Sequence, residues 1–506
     1  MTTVHEETER KYDVRSGAEL PDLVGGLVSK LGPAQVDELY ATYFDTDDLA
    51  LANAGVSLRR RTGGTDSGWH LKLPAHNDTR IEIRRALGRG IRVPGPLARM
   101  LIAATTGRPL SPMMTIHTLR TVRELVGKGG TVIALVADDE VTAAVPGADG
   151  PLLQWRELEI ELTAGDQTVL DDLDRVLEAA GLRRSSSASK LRRALERAHS
   201  TLEHVAPTPA LPKKSAGAVL HHYLVEQRLA LTSADIAVRA AGTSVHDVRV
   251  AARRMRAALA VYRSLVDAET ARHLQGELRW IGQTLSDIRD LEVAEEALTS
   301  ALDDEPPHRG LRSARTLMRR RLTAAERSAQ AVARDVLASE RYMAALTGLD
   351  AALTAPSWTD RASTKASKTL PRLLAKPQRR LRRAVKAAAS AETEDRPSAL
   401  HEVRKAAKRL RYALEVAEVA LGAPAGRMAD STRTVQSILG DHLDTVATCS
   451  WLYRLGHDPD AGQAAAFTYG RLHARNEERI SGQLDDYAHA VRPVVKAKPT
   501  DFLRRR

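Results

Sequence analysis

The 506-residue sequence has one cysteine, Cys449, three phenylalanines and an aromatic content of 4%. A single thiol excludes an internal disulfide framework and any cysteine-rich zinc site. Scarce aromatics argue against a surface that stacks successive bases, so no specific nucleic acid is expected as a partner. No run of about 18 apolar residues occurs, so no membrane span is expected. Met1–Lys11 (MTTVHEETERK) lacks the basic and apolar regions of a secretory signal, and the cytoplasm is the expected compartment. The rest is 43% hydrophobic and 27% charged, with a mean hydropathy of -0.30, the balance of a globular chain.

The net charge of +11 is unevenly spread. Residues 1–205 hold 26 lysines and arginines against 29 aspartates and glutamates, and the remainder holds 49 against 35, so the two parts carry -3 and +14. Strand-like alternation also stops near residue 200. Before it, Glu7–Val14, Tyr40–Asp45, Val56–Arg61, Trp69–Leu73, Arg80–Arg84, Thr131–Val136 and Trp155–Leu162 read as strands. Gly63-Gly64, Asn77-Asp78 and Gly129-Gly130 supply turns, and Pro21–Leu31, Gly95–Thr105 and Val169–Leu182 read as helices. Residues 1–204 are therefore expected to form an α+β domain on an antiparallel sheet. Residues 205–214 (VAPTPALPKK) read as a proline-rich linker, residues 215–492 as an all-α helical bundle, and residues 493–506 as a basic tail.

Alternation puts Glu7, Glu9 and Lys11 on one strand face, as it does Arg59 and Arg61, Glu82 and Arg84, and Glu157, Glu159 and Glu161. Lys72 lies between Leu71 and Leu73. Such a face is either solvated or a wet cavity. Five strands with charge on one face and apolar residues on the other favour a barrel with a charged lumen. Its cations would neutralise a polyanion, and its carboxylates would hold a hard divalent ion such as Mg²⁺.

The ordered set ExExK, YFDTDDLALANAGVSLRRR (43–61), HLKLP, Glu82/Arg84, Asp138-Asp139 and ELEIEL followed by Ser189-Lys190 resembles the CYTH, or triphosphate tunnel metalloenzyme, domain over about Glu6–Ala198. The resemblance implies an eight-stranded tunnel barrel that binds a triphosphate-bearing substrate with Mg²⁺ or Mn²⁺. It implies Glu7, Glu9, Glu159, Glu161 and Asp138 (or Asp139) as metal-side carboxylates. Lys11, Arg59, Arg61, Lys72, Arg84, Arg120 and Lys190 become phosphate clamps, and Glu7, Glu9, Lys11, Lys72 and Glu82 the catalytic set. Glu82 would either orient an arginine or contact the metal. One departure stands in Ile116–Arg123, where His117 and Leu119 occupy places in which further cations are expected.

The helical half repeats itself. HDVRVAARRMRAAL (246–259) returns as HEVRKAAKRLRYAL (401–414), an offset of 155, and QTLSDIRD (283–290) as SILGDHLD (437–444). The two copies are expected to pack as a pseudo-symmetric pair. His246, Arg249, Arg253 and Arg256 fall within about 80° of one another on a helix, as do His401, Arg404, Lys408 and Arg411, with Lys405 beside them. Each helix thus carries a basic stripe suited to a chain of phosphates. This text resembles the CHAD, or conserved histidine α-helical, domain over about Ser215–Arg492, which implies binding of inorganic polyphosphate. Asp287, Asp290, Asp441 and Asp444 are expected to orient the cations or cap helices.

The expected function is metal-dependent hydrolysis of inorganic triphosphate or polyphosphate ends in the tunnel, with polyphosphate held by the bundle. The alternative is a non-catalytic polyphosphate-binding or granule-associated protein, and adenylyl cyclase or thiamine triphosphatase chemistry fits the same tunnel.

Overall fold

The computed structural model describes residues 2–73, 79–88, 90–164, 166–187, 189–199, 211–242 and 244–496. The Asn77-Asp78 turn, residues 205–210 of the expected linker and residues 497–506 of the expected tail lie outside the described residues, as do the side chains of Asp287 and Asp290. The chain divides into two compact units, Met1–Ala206 with Arg239–Gly242 and Pro207–Val238 with Thr243–Arg506.

The first unit is built on one antiparallel sheet whose strands are β1 (Thr2–Val14), β2 (Val28–Leu31), β3 (Gln35–Asp45), β4 (Ser57–Thr62), β5 (Gly68–Lys72), β6 (Thr79–Arg85), β7 (Ser111–Gly127), β8 (Val132–Ala144), β9 (Leu153–Leu162) and β10 (Arg183–Arg184). Its helices are α1 (Ala50–Asn53), α2 (Gly95–Met100), α3 (Ile102–Thr105), α4 (Gln167–Ala179) and α5 (Lys190–His199). Pairing runs β1-β6-β5-β4-β3-β7-β8-β9 and comes back to β1. The two halves of β1 serve different neighbours: Thr2–Thr8 pair with β6 and Glu9–Val14 with β9. This is the eight-stranded tunnel. β2 and β10 hang on β7 and β1.

Alternation sorts side chains between wall and lumen. Tyr12, Val14, Val136, Leu158 and Ile160 face outward and bury against Val169, Leu170, Leu173 and Leu177 of α4. Arg10, on the same outer face, pairs with Asp171 at 2.8 Å and with Asp174. Helix α5 does something different. Its apolar residues Leu191, Ala194 and Leu195 pack on Ala41, Tyr43, Met114, Ile116, Val141 and Ala143. Ala41, Tyr43 and Ile116 also line the lumen, so α5 plugs one mouth of the tunnel.

Two expectations change. Pro21–Leu31 is not a helix: Gly25 and Gly26 adopt φ of 147° and 54°, Gly25 and Val28 exchange backbone hydrogen bonds at 2.9 and 2.8 Å, and the chain turns there into β2. The expected helix Gly95–Thr105 is two short ones, α2 and α3, joined at Leu101.

The second unit is all helical: α6 (Ala216–Ala241), α7 (His246–Val261), α8 (Ala268–Thr284), α9 (Ser286–Asp303), α10 (Leu311–Ala338), α11 (Glu340–Thr354), α12 (Ala366–Ser390), α13 (Arg396–Leu421), α14 (Ala423–Gly456) and α15 (Gln463–Lys496), with 3₁₀ turns at Arg263–Leu265 and Asp360–Ser363. The internal repeat is structural. Val248, Ala251, Ala252, Met255, Ala258 and Leu259 of α7 are buried, and so are their counterparts in α13, Val403, Ala406, Ala407, Leu410, Ala413 and Leu414. The two helices pack together: Tyr262 donates from its hydroxyl to the Ala413 carbonyl at 2.5 Å, and Arg253 Nε donates to the Tyr412 hydroxyl at 3.0 Å. No helix among the described residues is long and apolar enough to cross a membrane.

Candidate functional site

The lumen holds a cavity of about 90 Å³. Glu7, Glu9 and Lys11 of β1, Arg59 and Arg61 of β4, Lys72 of β5, Arg84 of β6, Arg120 of β7, Glu159 and Glu161 of β9 and Lys190 of α5 all line it. These are eleven of the residues singled out from sequence, drawn from six strands and a helix. Tyr43, Ser57, Asp66 and Ser189 join them, and Leu39, Ala41, Ile116 and Thr118 make a neutral stretch of wall.

Two charge clusters share this lumen. In one, Lys190 Nζ lies 2.7 Å from Asp139, 2.8 Å from Glu157 and 2.7 Å from Glu159. Arg120 reaches Asp139 at 2.7 and 2.5 Å and also pairs with Glu159, which Lys11 contacts as well. Burial works against ionised Glu159, yet Lys11, Lys190 and Arg120 hold it well below the usual carboxylate range. In the other cluster, Glu7 accepts from Lys72 at 2.5 Å and from Arg84 at 2.7 Å. Burial, then the neighbouring Glu82, pushes the Glu7 carboxyl up.

Glu161 makes no hydrogen bond or ion pair with any described residue. Burial raises its carboxyl first, and Glu7, Glu9 and Glu159 add to the shift against the pull of Lys72. Of the two lumen-lining arginines of β4, Arg59 is raised, against its burial, by Tyr43 and Glu82, whereas Arg61 is lowered although it pairs with Asp66. Arg61 is pushed down to about 9 by burial and by Arg59 and Arg120. A lumen with a strained carboxylate on one side and crowded guanidiniums on the other is arranged for a cation and an anion together.

Three sequence readings are corrected by register. Asp138 is not on the lumen: it forms a two-pronged pair with Arg156 at 2.8 and 2.7 Å on the outer face, and its neighbour Asp139 is the inward carboxylate. His117 and Leu119 also face outward, where His117 stacks on Tyr40 at 4.6 Å and bonds Glu38 at 2.9 Å. Their lack of charge therefore has no bearing on the tunnel, whose β7 wall is Ile116, Thr118 and Arg120. Glu82 is fully buried and does not line the cavity. It contacts His70 at 3.0 Å, Lys72 at 3.6 Å, Arg59 at 4.0 Å and Arg84, so its place is behind the clamps, orienting them.

Removing that anchor leaves four positive or polar groups facing a void. Glu82→Ala is expected to destabilise the first unit by about 3–5 kcal/mol, the usual cost of breaking a buried ion pair from one side. Thermal unfolding checks it; an unchanged melting temperature would contradict the anchoring role.

In the second unit, a cavity of about 480 Å³ between α7 and α13 is lined by His246, Arg249 and Arg253 and by Arg404, Lys408 and Arg411. Asp444, expected to orient the cations, lines it too, and the sequence missed Asp247, Arg254, Tyr412 and Gln436. Tyr412 is the hub, with the Arg253, Arg254 and Arg411 guanidiniums 5.9, 5.9 and 5.6 Å from its ring centre. Three stripe residues are not brought in. Lys405 pairs with Glu402 at 2.9 Å, His401 is exposed, and Arg256 sits near Arg279, Arg409 and Arg253. Arg404 and Lys408 make no hydrogen bond or ion pair with any described residue. Burial, then Arg404 and Arg253, drives Lys408 down to about 7.

Comparison with known proteins matches a CYTH domain to residues 5–195 and a CHAD domain to residues 222–453. The chain is 33% identical over 519 residues to the uncharacterized protein Rv2226 of Mycobacterium tuberculosis, with 97% of each covered. It belongs to the CYTH–CHAD fusion proteins. Among solved structures, PptA from Streptomyces chartreusis is 22% identical with a TM-score of 0.46, covering 55% of this chain and 99% of that one. The CHAD domain from the plant Ricinus communis is 24% identical with a TM-score of 0.44, covering 58% and 97%.

Proposed function

We propose that the first unit hydrolyses the terminal anhydride of inorganic triphosphate or of a polyphosphate end, with Mg²⁺ or Mn²⁺, and that the second unit binds inorganic polyphosphate. The observation that carries the tunnel reading is the convergence of Lys11, Arg59, Arg61, Lys72, Arg84 and Arg120 on one small cavity that also contains Glu161, a carboxylate without an ion pair. All the acidic donors there are carboxylate oxygens, the ligands that a hard divalent ion takes. Glu7, Glu9 and Glu161 fit that ion best, because their mutual repulsion is what a cation would relieve. A bound divalent ion supplies neutralisation of the phosphate oxygens. The chain's own part is positioning: arginines and lysines align the phosphates so that water attacks the terminal phosphorus and the bridging P–O bond breaks. Orthophosphate leaves, and the remaining chain is one phosphate shorter.

In the second unit the supporting observation is the pair Arg404 and Lys408, half-buried cations that make no hydrogen bond or ion pair and feel only the longer-range pull of Asp444. A phosphate chain gives both charge-assisted contacts at once.

The assay is phosphate release, with Mg²⁺ and with Mn²⁺, from triphosphate, long polyphosphate, ATP and thiamine triphosphate. Triphosphate is expected to be turned over, and Glu161→Gln to lose that turnover. Release from none of the four, with polyphosphate binding intact, would instead support the non-catalytic polyphosphate-binding protein.

A further inference from the structure

Asp139, Glu157 and Glu159 bring carboxylate oxygens within 4.8 Å of one another, a spacing that suits a metal ion. In the folded chain the middle of that trio is taken. The Lys190 ammonium lies within 2.8 Å of all three carboxylates. We propose that Lys190 is a built-in cation, filling the trio in place of a metal, so that the tunnel takes one divalent ion, on Glu7, Glu9 and Glu161, rather than two.

Charge balance is the first argument. The trio carries three negative charges, answered by Lys190 and Arg120, by Lys11, which Glu159 shares with Glu9, and by Arg193 at 4.0 Å from Glu157. A divalent ion added there would bring two excess positive charges into a buried site, where an unbalanced charge is costly. The Glu7, Glu9 and Glu161 side lacks that balance. Lys72 and Arg84 answer Glu7, and Lys11, shared with Glu159, reaches Glu9 at 3.0 Å, but Glu161 has no ion pair and only the longer-range pull of Lys72.

Anchoring is the second argument. Lys190 is the first residue of α5 and is buried, so its ammonium is offered to the trio from a fixed backbone position. That helix is fixed by Leu191, Ala194 and Leu195 in the apolar plug. Arg193 fastens it further through Asp13 at 2.6 Å and over the Trp155 ring at 5.3 Å. Distance is the third. Mg²⁺ binds oxygen at about 2.0–2.1 Å, so a metal in the trio would have to both expel the ammonium and draw the oxygens inward. A tethered ammonium is present whatever the metal supply, which makes this half of the tunnel indifferent to chelation.

The inference rests on the metal-dependent tunnel reading, but its test needs no turnover. Mn²⁺ bound to the metal-free full chain is counted by electron paramagnetic resonance, without substrate. Wild type is expected to lose one ion on Glu161→Gln and none on Asp139→Asn. Lys190→Met is expected to gain one ion over wild type, a gain that Asp139→Asn cancels in the same chain, and Lys190→Arg to gain none. Loss of an ion from otherwise wild-type protein on Asp139→Asn overturns the proposal, even if Lys190→Met does not fold. So does a folded Lys190→Met chain with no added ion, or a Glu161→Gln chain that binds as many ions as wild type. Absence of phosphate release with these counts intact would sink the triphosphatase reading and leave the built-in cation standing.

Discussion

Glu9→Ala is expected to cut metal-dependent phosphate release from triphosphate by about a thousandfold or more, since charge stabilisation by a bound metal is worth several kcal/mol and each 1.4 kcal/mol is a factor of ten. The chain should remain folded. Glu9 faces the lumen beside Glu7 and is one of the carboxylates that raise Glu161. The folded value of Glu161 lies above its unfolded one. Its contribution to stability is therefore present at low pH and is lost as pH rises from the ordinary carboxylate value through the raised one. At neutral pH without metal, Glu161 opposes folding, and deleting Glu9 removes part of that opposition. The metal-free melting temperature of Glu9→Ala should stay close to that of wild type, because loss of the Lys11 contact at 3.0 Å offsets the relieved repulsion, while the rise on adding Mn²⁺ shrinks. Loss of activity together with a lower metal-free melting temperature would mean that Glu9 is structural.

The second large effect lies in the helical unit. Replacing Arg404 and Lys408 together by methionine is expected to weaken polyphosphate binding by at least about a hundredfold, because hydrogen bonds to charged groups contribute about 1.5–3 kcal/mol each. Binding by wild type should also take up a proton. Free Lys408 sits at about 7, held down by burial and by Arg404 and Arg253. A phosphate alongside raises it, so above pH 7 the free amine is neutral and must be protonated on binding. Affinity should fall as pH rises from 7, by up to about tenfold per unit until the raised value is reached. Calorimetry in buffers of different ionisation heat reads the uptake directly. Lys408→Met should abolish it, and an uptake that survives this change would assign the proton to another group.

Period-two alternation was a good guide where one face of a strand is charged and the other apolar. That holds for ETERKYDV in β1 and ELEIEL in β9, whose Glu7, Glu9, Glu159 and Glu161 all reach the lumen. It failed for β7, a 17-residue strand, because its inward residues Met114, Ile116, Thr118 and Arg120 run from the apolar plug to the polar lumen and show no single character. Asp138 and Asp139 could not be separated for a related reason. Adjacent residues point to opposite sides, and only pairing with β9 says which side is in. The duplicated His/Arg text located α7 and α13 and their buried faces. It did not reveal Arg254 or Tyr412, since what makes them partners is the crossing of two helices far apart in sequence.

The helix α5, wedged against the inward faces of β3, β7 and β8, turns the barrel into a cul-de-sac rather than a corridor. Whatever goes in must back out the same way. A linear chain of phosphates would have to offer a free tip, and internal linkages of a long polymer would stay out of reach until trimming brought them to the end. Closed rings of phosphate have no tip to offer. On this geometry they would sit on the basic surface of the helical unit and remain uncut.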